Sequence, residues 1–323
     1  MSDILEFVIL QLAGYIVPAT LLVIIALGLN VQWGHTGLFN AGVAAFVGVG
    51  AYTFGMMSTG SYSNPGVSWY HWGPGMPFDI VTSAILAMAA AGILGALVAI
   101  PTLRLRADYL AIATLAFAEI VRLILKNERR LTGGDQSLAF IPRPFEPLVS
   151  RGPFSDGLFM LLITLMMLGL VLVLDYLTRS PFGRNLHAVR EDEEAALALG
   201  KDTFRLKLGA FAIGCAVMGL AGALLASFNR VIVPDIFVPL TTFTAYVVVI
   251  LGGVGNNRGI ILGGYVFYLF TWTSQQMKAY LPFEWALRVD FLNQIVIGLL
   301  LILFILFRPE GVMPEKKYIP PSR

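Results

Sequence analysis

What most constrains this chain is a succession of apolar runs, each close to the length of a lipid bilayer. The hydrocarbon layer is ~30 Å thick and each α-helical residue rises about 1.5 Å, so a crossing helix needs about 20 mostly apolar residues. Seven runs approach that length: Ile4 to Leu29, Thr36 to Met57, Ile80 to Ile100, Tyr109 to Leu125, Gly157 to Leu174, Leu208 to Phe228 and Phe291 to Phe307. Two shorter runs, Leu240 to Leu251 and Ile260 to Trp272, flank a stretch rich in Gly and Asn that also carries Arg258. A continuous lipid-facing helix would hardly tolerate that stretch, so two short or broken helices are expected there. The first run begins Met1-Ser2-Asp3 with no basic residue and is too long for a signal-peptide core, so it is expected to be a retained span. Composition agrees: 57% of the 323 residues are hydrophobic and 13% charged, where soluble domains have about a quarter charged. The expectation is an all-α polytopic membrane protein of about nine transmembrane segments, allowing eight to ten. It would form a single transmembrane domain over 1–323, with a cytoplasmic loop at 179–207 and a cytoplasmic tail at 308–323.

Charge matters here by position, because 22 basic and 20 acidic residues leave a net charge of only +2. No basic field exists to recruit nucleic acid. Lys and Arg favour cytoplasmic loops. Arg104 and Arg106 follow the third run, six basic residues lie in 179–207, and Arg308, Lys316, Lys317 and Arg323 follow the last run. Counting spans between these segments puts all three on the cytoplasmic side, with the C-terminus cytoplasmic and the N-terminus and Ser58 to Asp79 external. Lys126 to Asp156 dissents, since it is expected outside yet holds Lys126, Arg129, Arg130, Arg143 and Arg151.

Chemistry on the chain itself is not expected. Cys215 is the single cysteine, and His35, His71 and His187 lack partners at ligand spacing, so neither a disulfide nor a metal site is expected. No nucleophile motif or phosphate-binding loop occurs, so no catalytic residue is assigned. The polar group Asn30, Gln32, His35, Thr36 and Asn40 lies between the first two runs, where hydrocarbon would penalise unpaired groups, so it is expected to face protein or water. Glu119 and Arg122 share a face of the fourth run. They are either part of a translocation path or a structural pair with Arg122 reaching to the interface. Gly252, Gly253, Gly255, Gly259, Gly263 and Gly264 admit two readings as well. Interrupted helices can present free backbone groups to an amino acid, or small residues can permit close helix packing. Trp69, Tyr70 and Trp72, beside Pro74 and Pro77, suit an outer-interface aromatic belt or a protein contact.

The charged loop 179–207 is the most informative stretch. Ser180-Pro181-Phe182-Gly183 reads as a turn, and Arg184 to Leu199 as one short extramembrane helix ending at Gly200. It is either a surface linker or a docking helix. The string Glu194-Ala195-Ala196-x-x-x-Gly200 resembles the EAA loop of ABC importer permeases. "PFGRNLHAVREDEEAALALGKDTFRLKLGAFAIG", "GLNVQWGHTGLFNAGVAAFVGVGAY", "LRLRADYLAIATLAFAEIVRL", "LTGGDQSL", "VVVILGGVGNNRGIILGG" and "FRPEGVMP" are similar, in order, to stretches of the branched-chain amino acid permeases of the M type (LivM-like). The Ile-x-Leu-Pro continuation of the general EAA pattern is absent, which suits the branched-chain branch.

That resemblance implies a permease of the bacterial inner membrane with a type II-like importer fold. It would pair as a heterodimer with a second homologous permease, rest on two cytoplasmic ATPases that bind ATP and Mg, and accept cargo from an extracytoplasmic binding protein. Arg184, Arg190, Glu194, Ala195, Ala196 and Gly200 would couple to the ATPases. Ala196→Glu is expected to block that docking without abolishing folding. Asn30, His35, Thr36, Asn40, Glu119, Gly252, Gly253 and Gly255 are the candidate path residues. The cargo would be branched-chain or hydrophobic neutral amino acids, with other amino acids, amides or urea as alternatives. The rivals are an ion-coupled carrier, disfavoured because Glu119 is the one carboxylate well inside the runs, and a membrane scaffold, which leaves the charged loop without a role.

Overall fold

The computed structural model describes residues 2–59, 79–144, 152–282, 288–308 and 310–314. The expected aromatic belt at Trp69, Tyr70 and Trp72, together with His71, Arg151 and the tail beyond residue 314, lies outside the described residues. Each apolar run becomes a helix, usually longer than the run itself. The long helices are α1 (Ser2–Leu29), α2 (Val43–Ser58), α3 (Ile80–Thr102) and α4 (Ala107–Asn127), with a short α5 (Arg129–Thr132) following. Next come α6 (Pro153–Arg179), α7 (Pro181–Glu191), α8 (Glu193–Ala198) and α9 (Thr203–Asn229). Last are α10 (Pro239–Gly252), α11 (Asn257–Met277) and α12 (Val289–Phe307). Among the described residues no strand occurs, only one bridge between Leu138 and Ile232. Among the described residues five segments are long and apolar enough to cross a membrane: Glu6–Gly34, Ile80–Thr102, Phe154–Arg179, Thr203–Asn229 and Pro234–Gly252.

Helix α9 is the centre, packed between α1, α2 and α3 through small residues. In lipid the hydrophobic effect gives helices no reason to associate, so close backbone approach and dispersion must hold them. An added methyl at Gly28 of α1 would lie 2.8 Å from the Gly214 carbonyl oxygen, and one at Gly95 of α3 would lie 2.6 Å from Cys215 Sγ. One at Gly222 would meet the Val47 carbonyl and sit 2.8 Å from the Ala51 amide of α2. The opposite faces of the outer helices stay apolar and exposed: Val81, Ile85, Ile93 and Leu97 on α3, Leu161, Leu165, Leu168 and Leu172 on α6, and Phe291, Ile295, Leu299 and Ile302 on α12. Stripes of this kind suit lipid or another membrane protein, not water.

One sequence expectation is corrected here. The run Thr36 to Met57 is not one helix, because α2 begins only at Val43. Its 16 residues rise about 24 Å, short of a full crossing. The preceding irregular backbone is held by Thr114 of α4 and Thr242 of α10 and, from within the segment, by Asn40. The Ala41 amide donates to Thr114 Oγ1 (3.0 Å), the Gly42 amide to Asn40 Oδ1 (2.8 Å) and the Ala44 amide to Thr242 Oγ1 (3.1 Å). Non-helical backbone survives at membrane depth only when so enclosed. At the Gly-rich stretch the two expected helices appear, α10 of 14 residues and α11 of 21. Gly253 takes φ +115°, Asn256 Oδ1 caps α11 by accepting from the Arg258 and Gly259 amides, and Val312 and Met313 dock on α10 through Leu251 and Gly252 carbonyls.

Two of the cations in the dissenting basic segment, with Arg122 just before it, pair with carboxylates. Lys126 pairs with Asp135 and Asp235 at 3.4 Å, Arg122 with Asp235 at 2.9 Å, and Arg143 with Asp156. Arg143 also donates to the Ser227 and Phe228 carbonyls and lies over the Phe159 and Phe228 rings.

Candidate functional site

The single helix expected over Arg184 to Leu199 is two. Ser180 caps α7, with Pro181 at its first position, a role Pro fills because its missing N–H is unneeded there. Asp192 then leaves helical geometry (φ −154°, ψ 106°), and its side chain accepts from the Ala195 amide at 3.0 Å, opening α8 at an angle to α7. Every residue from Arg184 to Leu199 tolerates a helix, so composition hid the break; a carboxylate ahead of Glu-Glu-Ala was the available signal. Gly200 takes φ +78°, the left-handed turn expected after the helix. Lys207 Nζ braces α8 to α9 through Glu193 Oε2 at 2.5 Å.

The exposure of α8 revises the docking residues. Ala196 is 2% exposed and faces inward, so Ala196→Glu would disturb folding of the loop rather than report on docking alone. Leu197 and Leu199 are 53% and 78% exposed, apolar and without cover. Arg184, Arg190, Glu194, Ala195 and Gly200 are also exposed.

Behind this helix pair lies a buried polar joint that gathers two features separate in the sequence. After Leu29, α1 widens into a π-turn over Asn30–Gly34, a geometry frequent at functional sites. Asn30 is fully buried. Its Oδ1 accepts from the Gly255 amide at 2.9 Å, and its Nδ2 donates to Asn257 Oδ1 at 2.9 Å and faces His35 Nε2 at 3.3 Å. Asn257 Nδ2 donates in turn to Asp175 Oδ1 at 2.8 Å, near the end of α6. His35 is buried, and an uncharged ring there can offer a lone pair to Asn30. From α7, Arg190 donates to the Gly34 carbonyl, and the His187 ring meets His35 edge-on at 5.1 Å.

The candidate path residues therefore separate. Asn30, His35 and Gly255 meet at the joint. Thr36 bonds the Val31 carbonyl at 3.0 Å, and Asn40 bonds Gln32 Oε1 at 2.8 Å, while Gln32 Nε2 reaches the Phe211 carbonyl of α9. Asn30, Gln32, His35, Thr36 and Asn40 are buried against protein, as the cost of leaving polar groups unpaired requires, and Gly255 is half-buried. Gly252 and Gly253 serve close packing: a methyl on Gly252 would lie 2.6 Å from the Gly259 carbonyl oxygen, and one on Gly253 would overlap the Met313 carbonyl. Glu119 stands apart. Its side chain is 42% exposed and holds Arg122 at 2.5 Å, within the ion pairs to Asp235 beyond the C-terminal end of α9, whereas Lys207 ties α8 to the N-terminal end of that helix. Asn257 and Asp175 were missed as site residues, because a polar residue in a Gly-Asn turn and a lone acid near a helix end carry no pattern of their own. Among the described residues no group of three or more metal-ligating side chains occurs.

Enclosed irregular backbone, exposed apolar stripes and long apolar helices define a polytopic helical membrane protein. The chain matches the family described as "Branched-chain amino acid transport system / permease component" over residues 11–305. It is 32% identical over 313 residues to the high-affinity branched-chain amino acid transport system permease protein LivM of Escherichia coli, covering 90% of this chain and 67% of that one. The "Probable branched-chain amino acid transport permease protein LivM" of Methanocaldococcus jannaschii is 29% identical over 324 residues, 92% of each chain. The corresponding permease protein LivH of Escherichia coli is 35% identical over 146 residues, 45% of each. No solved structure matches the chain significantly. This chain belongs to the branched-chain amino acid transport permease family.

Proposed function

We propose that the chain is one permease subunit of an ATP-driven importer that moves branched-chain or other hydrophobic neutral amino acids across the inner membrane. Its partner is a second, homologous permease, and its likeness to both LivM and LivH supports such a pairing. The chain crosses the membrane in about nine segments, N-terminus outside and C-terminus in the cytoplasm. It holds no catalytic group and no cofactor of its own. Two cytoplasmic ATPases bind ATP with magnesium, and an extracytoplasmic protein delivers the cargo.

The observation that carries this reading is the α7–α8 pair. It presents uncovered Leu197 and Leu199 outward while Arg190 grips the Gly34 carbonyl inward. A surface linker has no need of both contacts. An apolar ridge suited to a groove, tied to the end of a membrane helix, is what a coupling element requires. In proteoliposomes carrying both permeases, the ATPases and the binding protein, Leu199→Glu should lower ATP-driven leucine uptake at least 10-fold and weaken ATPase co-purification. Unchanged ATP-driven uptake would contradict the coupling role, and uptake by this chain on a proton gradient without ATPases would favour the carrier.

A further inference from the structure

We infer that Asn30 is a positioning residue that ties the α7–α8 pair to the turn between α10 and α11, making one rigid joint through which the pair moves the membrane helices. The inference rests on the importer reading above and goes beyond it to the residues that transmit the motion. The α7 helix reaches the joint from both of its ends. Its N-terminal side continues from α6, whose Asp175 accepts from Asn257 at 2.8 Å. Its C-terminal side carries Arg190, which donates to Gly34. Asn30 sits between these attachments, fully buried, its amide spent on the Gly255 amide and on Asn257.

These partners come from positions 30, 175, 190, 255 and 257, so no helix ladder or single element holds them together. Remove the Asn30 amide and α1 keeps its packing, but its link to the α10–α11 turn is gone. The π-turn is shaped to hold that amide: a methyl on Gly34 would overlap Asn30 Oδ1 and lie 2.8 Å from the Gly255 nitrogen. Gly34→Ala therefore displaces the amide without deleting it. Discrete hydrogen-bonded joints of this kind pass motion between elements because they have no soft intermediate geometry.

The test measures ATP hydrolysis and leucine uptake together in the reconstituted four-component complex, for Asn30→Leu, Gly34→Ala and the milder Asn257→Ser, which cannot reach Asp175. The expected result is uncoupling: uptake per ATP hydrolysed falls at least 10-fold while the hydrolysis rate stays within about twofold. An unchanged ratio in variants that assemble overturns the inference. So does a parallel fall of both activities, which would mark the joint as merely structural, and so does failure of all three to assemble. Absence of ATP-driven uptake in the wild-type complex would instead sink the importer reading, a distinct outcome.

Discussion

At the scale of the residue, glycine decides most, because here the backbones themselves are in contact. Gly222 is the sharpest case. It faces the Val47 carbonyl and the Ala51 amide, neither the movable end of a side chain. Gly222→Val should therefore destabilise the detergent-purified protein by about 1–3 kcal/mol, the usual cost of overpacking a well-filled core. Gly169→Ala on α6, where an added methyl meets nothing within 4 Å, should be neutral or slightly stabilising, since Ala favours a helix by up to ~1 kcal/mol over Gly. Thermal unfolding of the two variants side by side separates contact from propensity; equal melting temperatures would mean α2 and α9 are not packed this closely. Asn30 and Asn257 obey the same logic in polar form. Each is surrounded closely enough that its amide has specific places to go.

At the scale of the element, helices here begin and end where a side chain can take over the orphaned backbone groups. Thr114 and Thr242 serve the start of α2, Asn256 that of α11, Asp202 that of α9 and Asp192 that of α8. Asp192→Ala should cost α8 about 1 kcal/mol, and because the helix has only six residues it should fray. Hydrogen exchange at Ala195 to Ala198 would then speed up while α7 stays protected; unchanged protection would mean tertiary packing of Ala196 alone holds α8. The apolar runs made every long helix legible in the sequence, since length and hydropathy are local properties. The late start of α2 was not, because Thr36 to Gly42 matches its helical continuation in composition and the break is set by Thr114 and Thr242, far away in the chain. The polar group after α1 was legible as turned away from lipid, toward protein or water, but its partners were not. Asp175 and Asn257 acquire meaning only when α6 and α11 are brought beside α1.

At the scale of the whole molecule, the polar joint and the helix pair occupy one end, and the ion pairs around Arg122, Lys126 and Asp235 the other. The first end ties the helix pair to the end of α1 through Arg190 and Gly34, and the second ties α4 to Asp235, just beyond α9. Everything turns on which side of the membrane the helix pair faces. The most direct measurement is labelling of Leu199→Cys with a membrane-impermeant maleimide, in a Cys215→Ser background that removes the single native, buried thiol. Labelling in inside-out vesicles, with protection when the ATPases are bound, is the predicted result. Labelling in right-side-out cells or vesicles would put the pair outside and contradict the account.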